Sequence, residues 1–414
     1  MKKILFVCDY YYPNASSIGI CTHKVAKALK QNGNIVHVLS FGDNNFKIEN
    51  EYDNITSFYI KKRFHERCIE FGENTGGIVG KIICLLGKCK LRLWQILWFP
   101  FFRMDGIAVP LRYYRAISKL NKQNNYDMII ATYNPFEGML ATYWYKKKFN
   151  NVLFCLYILD NLTNIGNTNY ISNKLNDKMG WKWEKRIFPL CDQIINLRCH
   201  EKHHQQERYN QFRKKMVYSD IPFLTKNNAS KNYFDKKYIH FVYTGRLLKT
   251  RSSSSFSKLF DKLSANKPYI LHYYSTGDEE DNISKFEKST NGRIKRHGLL
   301  PHDKISIIQN SADILVSIGN SGNEKISSKI FEYISTGKKI VHFQKEKYDS
   351  TIYYYSKYDN AIVLSEKDSL IINIEKLNKF ITKSYSKIEF EKLKSIYYEN
   401  LPEYTAILIM KCFT

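Results

Sequence analysis

The sequence predicts an α/β protein built from two successive open, parallel-sheet domains. Three observations carry this prediction. Short, continuous apolar runs recur along the chain, as in strands covered on both faces. The first run is followed by a loop, an amphipathic helix and a second run, which makes a β-α-β unit with parallel strands and a right-handed crossover. The same alternation begins afresh after a polar, proline-broken stretch at 219–237.

The elements follow in chain order. Residues 4–8 (Ile-Leu-Phe-Val-Cys) form the first buried strand. Tyr10 to Cys21 is a loop carrying Pro13, Ser16, Ser17 and Gly19. A helix comes next, with Val25, Ala26 and Leu29 on one face and Lys24 and Lys27 on the other, stopped by Gly33. Residues 35–39, 127–131, 152–159 and 192–197 are further strands, and 219–237 is the linker. The second series has strands at 239–243, running into Thr244-Gly245-Arg246, and at 269–274, running into Thr276-Gly277-Asp278. It continues with strands at 312–317 and 339–343. The expected domains are 1–220 and 221–395, with a terminal helix in 396–414 packing back on the first.

Composition narrows the function. Lys and Arg number 64 against 39 Asp and Glu, a net charge of +25, which favours phosphorylated substrates, an anionic bilayer or nucleic acid. An Asn-, Ile- and Tyr-rich coding bias is a second source of the lysines. The nine cysteines are odd in number and include no C-x-x-C pair, which argues against a disulfide framework or zinc ribbon and for a reducing compartment. The opening apolar run ends at Asp9, short of the roughly 7 residues a signal peptide's core needs. No window of about 18 uncharged apolar residues exists, so no membrane-spanning helix is expected.

The strongest chemical signal is the stretch 323–337. Ile326, Ile330 and Ile334 recur every fourth residue, the inward stripe of a helix ended by Gly337. Ser327 or Ser328 is the N-cap, flanked by Lys325 and Lys329. Unpaired amides and basic side chains at a helix start suit a phosphate. Glu324 and Glu332 stand in a Glu-x7-Glu spacing, about 12 Å of helical rise, so they reach different parts of one extended ligand. Arg246, Lys249 and Arg251 follow the strand 239–243; arginine suits bidentate capture of a diphosphate, with Lys249 or Arg251 adding charge.

Together these features resemble the retaining glycosyltransferases of the GT-B fold, specifically the glycosyltransferase family 4 type. Glu324 and Glu332 are similar to that family's Glu-x7-Glu pair, and Arg246 and Lys249 to its Arg and Lys after the first strand of the C-terminal domain. Gly277, Gly298 and Ala312-Asp313 also resemble the family pattern, and Ser17-Ile18-Gly19 stands where such enzymes often carry a Gly-Gly pair. The resemblance implies two Rossmann-like domains facing across a cleft, a nucleotide-sugar donor as substrate, no cofactor and no metal. It further implies that Arg246 and Lys249 hold the diphosphate, that Glu332 binds the ribose, and that Glu324 contacts the donor sugar. Gly19, Gly277, Lys325, Ser327 and Ser328 line the donor site. Asp160, after the strand 152–159, is the acceptor-side candidate.

The stretch 81–104 mixes Leu, Ile, Trp and Phe with Lys81, Lys88, Lys90, Arg92 and Arg103. Such a mixture suits a bilayer interface, and equally a buried helical hairpin. The expected partners are therefore a nucleotide-sugar, a glycan or lipid-linked acceptor and an anionic membrane surface, with the protein peripheral on the inner face of the cytoplasmic membrane. Other chemistries are weaker. No G-x-G-x-x-G follows the first strand, Asp278–Asp281 reads as a solvated loop, and Cys199, His200, His203 and His204 lack a further ligand. The alternatives are a nucleic-acid or polyanion binder, although no specific nucleic-acid motif is present, and a catalytically silent GT-B scaffold.

Overall fold

The computed structural model describes residues 1–42, 50–98, 104, 106–163, 172–226, 232–264, 267–321 and 326–413. The chain divides into two compact units, Met1–Pro222 with Glu399–Thr414, and Phe223–Tyr398.

The first unit begins with β1 (Lys3–Tyr10), α1 (Ser17–Gln31), β2 (Ile35–Gly42), β3 (Asn50–Tyr52) and β4 (Ile55–Lys61). Next come α2 (Phe64–Thr75), α3 (Gly77–Leu97), α4 (Ala108–Asn124), β5 (Met128–Thr132), α5 (Phe136–Lys148) and β6 (Leu153–Ile158). The unit continues with α6 (Asn173–Ile187), β7 (Gln193–Leu197), α7 (Glu201–His204) and β8 (Met216–Ser219). Its sheet runs β3-β4-β2-β1-β5-β6-β7-β8, parallel except for the β3–β4 hairpin. Asp53 and Asn54 turn that hairpin, both with positive φ, as a two-residue turn between right-twisted strands requires. The apolar run of β1 is fully buried from Ile4 to Cys8, because helices cover both faces of the sheet.

The loop expected at 10–21 is shorter than the sequence suggested. Ser16 caps α1, accepting the Gly19 N–H at 3.0 Å and donating to Asp9 Oδ1 at 2.6 Å, so the helix starts at Ser17. Residues 81–97 of that stretch lie in α3, one arm of a helical hairpin, α2–α3. Its helices cross with backbones touching: a Cβ on Gly80 would stand 2.3 Å from the Gly72 carbonyl oxygen, and one on Gly72 2.6 Å from that of Gly80. The hairpin is not the buried core that apolar content alone would allow. Along α3, Ile78 is 78% exposed and Ile96 72%, with Ile82, Leu85, Leu86 and Leu93 outward as well. Trp94 and Trp98 are half-buried instead, near Gly106, and 99–103 lie outside the described residues.

The second unit contains β9 (Ile239–Leu247), α8 (Ser254–Ser264), β10 (Tyr269–Gly277), α9 (Glu280–Ser289), β11 (Ile294–Arg296), α10 (His302–Ser311) and β12 (Ile314–Ile318). It is completed by α11 (Lys329–Ser335), β13 (Lys339–Gln344), α12 (Thr351–Tyr355), β14 (Ala361–Ser365), α13 (Leu370–Thr382) and α14 (Phe390–Ile396). The sheet is parallel throughout, in the order β11-β10-β9-β12-β13-β14. Strands β9 and β10 run past their predicted ends at Tyr243 and Tyr274, because the two stay paired as far as Leu247 and Gly277. Asp278–Asp281 is not a solvated loop: Glu279 is buried at the start of α9, accepting from Ser252 at 2.6 Å.

The last helix, α15 (Pro402–Met410), belongs to the first unit. It lies on α1 and on the edge of the sheet, where Gln193 Nε2 donates to the Leu408 carbonyl at 3.0 Å and the Ser219 and Thr405 hydroxyls bond each other.

Candidate functional site

In an open α/β sheet, ligands bind beyond the carboxyl ends of the strands, where the winding reverses. In the second unit that point lies between β9, the first strand in sequence, and β12, the fourth. The two strands pair only at Phe241–Ile314 and Val242–Leu315, so they part toward their carboxyl ends. The Tyr333 hydroxyl fills the gap. It accepts the Thr244 N–H at 2.8 Å and lies 3.2 Å from the Thr244 carbonyl, docking α11 onto the end of β9.

Gly245 follows, at φ +131°, a conformation only glycine adopts without strain. The Lys329 stem packs over it, 3.4 Å from where a Cβ would stand. Arg246 is thus the penultimate residue of β9, not a residue beyond the strand, and it is exposed. The chain then turns back tightly, with the Arg251 N–H bonding the Leu248 carbonyl at 2.7 Å and Lys249 exposed on the turn. Among the described residues, the side chains of Arg246 and Lys249 make no hydrogen bond or ion pair. Arg251 is engaged. Its Nε donates to Asn320 Oδ1 at 2.9 Å, and Ser321 donates twice to the Thr250 carbonyl, at 2.7 Å from nitrogen and 2.8 Å from oxygen. These bonds lace the turn after β9 to the loop after β12. Burial pushes the Tyr243 phenol up, and the neighbouring Arg251 charge partly offsets this.

The helix expected across 323–337 is shorter, Lys329–Ser335. Ser328 holds the N-cap position without a side-chain cap bond, and the Ser327 and Ser328 carbonyls accept from Ile330 and Phe331 at 3.2 and 3.1 Å, a tight first turn. Glu324 and Lys325 lie outside the described residues. Glu332 is in the first turn of α11, its side chain 12% exposed, with Oε2 3.2 Å from Gln309 Nε2 and 3.3 Å from Lys329 Nζ. Sequence reasoning missed Gln309, Thr244, Tyr333 and Asn320, since none belongs to a spacing pattern. It also missed a buried chain behind the loop after β12. There His342 joins Ser317 at 3.0 Å and Asp349 at 2.9 Å.

In the first unit the winding reverses between β1 and β5. Asp9 stands there, buried, and burial raises its carboxyl. Beside it Arg63 grips the fully buried Glu137 from Nε at 3.3 Å and Nη2 at 2.8 Å, and reaches Glu66 at 3.1 Å. Burial works against the Arg63 charge, and the two carboxylates more than offset it. Asp160 lies exposed two residues beyond β6. Three residues on, Thr163 is clasped by the buried Glu184, which accepts its N–H at 3.3 Å, its hydroxyl at 3.1 Å and the Tyr209 hydroxyl at 2.7 Å. Burial pushes the Glu184 carboxyl up to about 7. Gly19 lies in the first turn of α1 against the Tyr10 carbonyl, and Gly277 against the Leu247 carbonyl; each lets the backbones close. His200 and His204 sit with ring centres 6.4 Å apart, His204 buried and held neutral, its pKa lowered to about 3 by burial and by His203 and His200. Among the described residues, no three His, Cys, Asp or Glu side chains are grouped to hold a metal.

No protein-family model matches the sequence, and no curated protein matches it. Solved structures match the fold. Sucrose-phosphate synthase from Thermosynechococcus elongatus aligns over 100% of this chain and 99% of its own, at a TM-score of 0.63 and 10% identity. HepE from Anabaena, in complex with UDP and glucose, covers 98% of this chain and 95% of its own, at 0.55 and 12%. WaaG, a glycosyltransferase involved in lipopolysaccharide biosynthesis, covers 98% and 99%, at 0.55 and 11%. At these identities the likeness is one of fold, and the chain has the two Rossmann-like domains of the GT-B fold.

Proposed function

We propose that the protein is a glycosyltransferase that moves a sugar from a nucleotide-sugar donor to a glycan or lipid-linked acceptor in bacterial surface polysaccharide synthesis, with retention of configuration and without a metal. One observation carries the reading. The winding reversal of the second unit presents two cations with no partner among the described residues, Arg246 on β9 and Lys249 on the turn after it, beside the helix bearing Glu332. Arg246 and Lys249 hold the diphosphate and stabilise the charge of the departing nucleotide, the role a metal would otherwise fill. The bond from Arg251 Nε to Asn320 supports Lys249 over Arg251 as the second phosphate ligand. Glu332 binds the ribose hydroxyls, Glu324 the donor sugar, and Asp160 serves the acceptor. HepE, with its bound UDP and glucose, and WaaG, with its part in lipopolysaccharide synthesis, support the choice of donor and pathway class.

A second observation supports work at a membrane. Among the described residues no helix is long and apolar enough to cross a bilayer, yet α3 turns an aliphatic stripe to solvent beside Lys81, Lys88 and Arg92. That combination suits peripheral docking on the anionic inner face of the cytoplasmic membrane.

Thermal-shift measurement with UDP, ADP and GDP, followed by transfer from the matching nucleotide-sugars in the presence of EDTA, tests the function. Stabilisation by one diphosphate and chelator-resistant turnover are expected. A folded protein that binds none of the three is not this enzyme. Turnover that dies with EDTA and returns with Mn²⁺ or Mg²⁺ removes metal independence.

A further inference from the structure

We propose that Gln309 is a positioning residue that fixes the Glu332 carboxylate for recognition of a donor's ribose hydroxyls; this rests on the glycosyltransferase reading above. Gln309 lies in the last turn of α10 and is 1% exposed. A buried primary amide has two hydrogens to place. Nε2 gives one to Thr244 Oγ1 at 2.9 Å and the other to Glu332 Oε2 at 3.2 Å. One nitrogen therefore ties the carboxylate to the end of β9, at the winding reversal.

Thr244 is already bonded to Tyr333 through its backbone, and Glu332 is already paired with Lys329, so neither needs Gln309 as its sole partner. What the amide adds is direction. Lys329 is half-buried on a flexible stem and supplies a point charge, whereas the amide of Gln309 is rigid and enclosed. The amide takes up one acceptor position on Oε2 and leaves the other carboxylate lone pairs for sugar hydroxyls. A second cation here would compete with those hydroxyls for the same oxygens.

The test compares the tightest-binding of UDP, ADP and GDP with its 2′,3′-dideoxy counterpart, by calorimetry, on the wild type, Gln309→Leu and Gln309→Glu. The wild type is expected to prefer the ribose form. Gln309→Leu should weaken that form about tenfold, the effect of losing one hydrogen bond to a charged group, and leave the dideoxy form unchanged. Gln309→Glu keeps the shape if the leucine variant does not fold. Its carboxyl, when protonated, has one O–H, which can replace the amide's bond to Glu332 but not also the one to Thr244, so ribose preference should survive at acidic pH and vanish as pH rises. That profile is not a matter of packing. A wild type that prefers the ribose form beside variants that keep the full preference overturns the role of Gln309 alone. A wild type indifferent to the hydroxyls overturns the ribose role of Glu332 and the proposal with it. Variants that weaken both ligands equally also overturn it.

Discussion

His272 donates from Nε2 to His240 Nδ1 at 2.9 Å, and the direction of that bond is fixed from its far end. His240 Nε2 lies 2.7 Å from the Asp235 carbonyl, which only accepts, so in neutral His240 the other nitrogen must accept. The same logic makes His297 donate to His272 Nδ1 at 2.9 Å. A proton on His272 would set two N–H groups against each other. Burial and the neighbouring His297, His240 and Lys295 accordingly hold its pKa down to about 3. The folded pKa lies below the ordinary histidine value of about 6.5, so this contribution to stability is complete above that value and is lost as pH falls toward 3. Ring-nitrogen NMR should find His272 neutral at pH 5 in the folded protein; a midpoint between 6 and 7 would refute the chain.

Glu184 has the opposite sign. Its folded pKa of about 7 exceeds the ordinary value of about 4.3 for glutamate. The folded state therefore holds the proton more tightly, and stability falls as pH rises through that window, by roughly 4 kcal/mol in all. Glu184→Gln carries no such charge. Urea unfolding should show the variant gaining on the wild type between pH 5 and pH 8, and a pH-independent difference would count against the assignment.

Arg246→Ala should weaken nucleoside diphosphate binding by about 1.5–3 kcal/mol with little change in melting temperature, because the side chain is exposed and has no partner among the described residues to strand. Arg251→Ala should behave differently, lowering stability by loosening the turn to the loop after β12. Equal affinity of wild type and Arg246→Ala, by calorimetry on folded protein, removes Arg246 from the site.

For the α2–α3 hairpin, flotation with anionic and neutral vesicles is the measurement. Binding to anionic vesicles only is expected. Replacing Leu85, Leu86 and Leu93 with Gln should abolish it at moderate salt, since each buried leucine contributes about 1.5 kcal/mol or more. These side chains are outward, so the fold should survive. Indifference of the intact protein to anionic vesicles at low salt would refute docking.

The parallel strands were legible because burial on both faces leaves an uninterrupted apolar run, as in β1 and β6. Strand ends were not. Thr244-Gly245-Arg246 looks like a loop, yet register with β10 carries the ladder through it. The short strands β3, β8 and β11 have too few residues to show a period. Arg246 and Glu332 stood out as charges at element ends, whereas Gln309 acts through contacts 65 and 23 residues away and leaves no local pattern. Which face of the α3 stretch turns outward was not legible either: the touching backbones at Gly72 and Gly80 leave Trp94 and Trp98 half-buried and Leu85, Leu86 and Leu93 exposed, and that crossing requires knowledge of both helices.

The return of α15 to the first unit bears on synthesis at the ribosome. Residues 223–398 are made and form the whole second unit before the first receives its last helix. At about 5–20 residues per second that delay is roughly 10–35 s. Until then α1 and the β7–β8 edge lack the cover of Ala406 and Ile409, both fully buried in the finished protein, and Gln193 lacks the Leu408 carbonyl. The nascent chain thus carries an open apolar flank on its earlier-made half while its later-made half is already closed. That flank is the natural target for a chaperone, and premature termination after residue 398 would spare the second unit and leave the first incomplete.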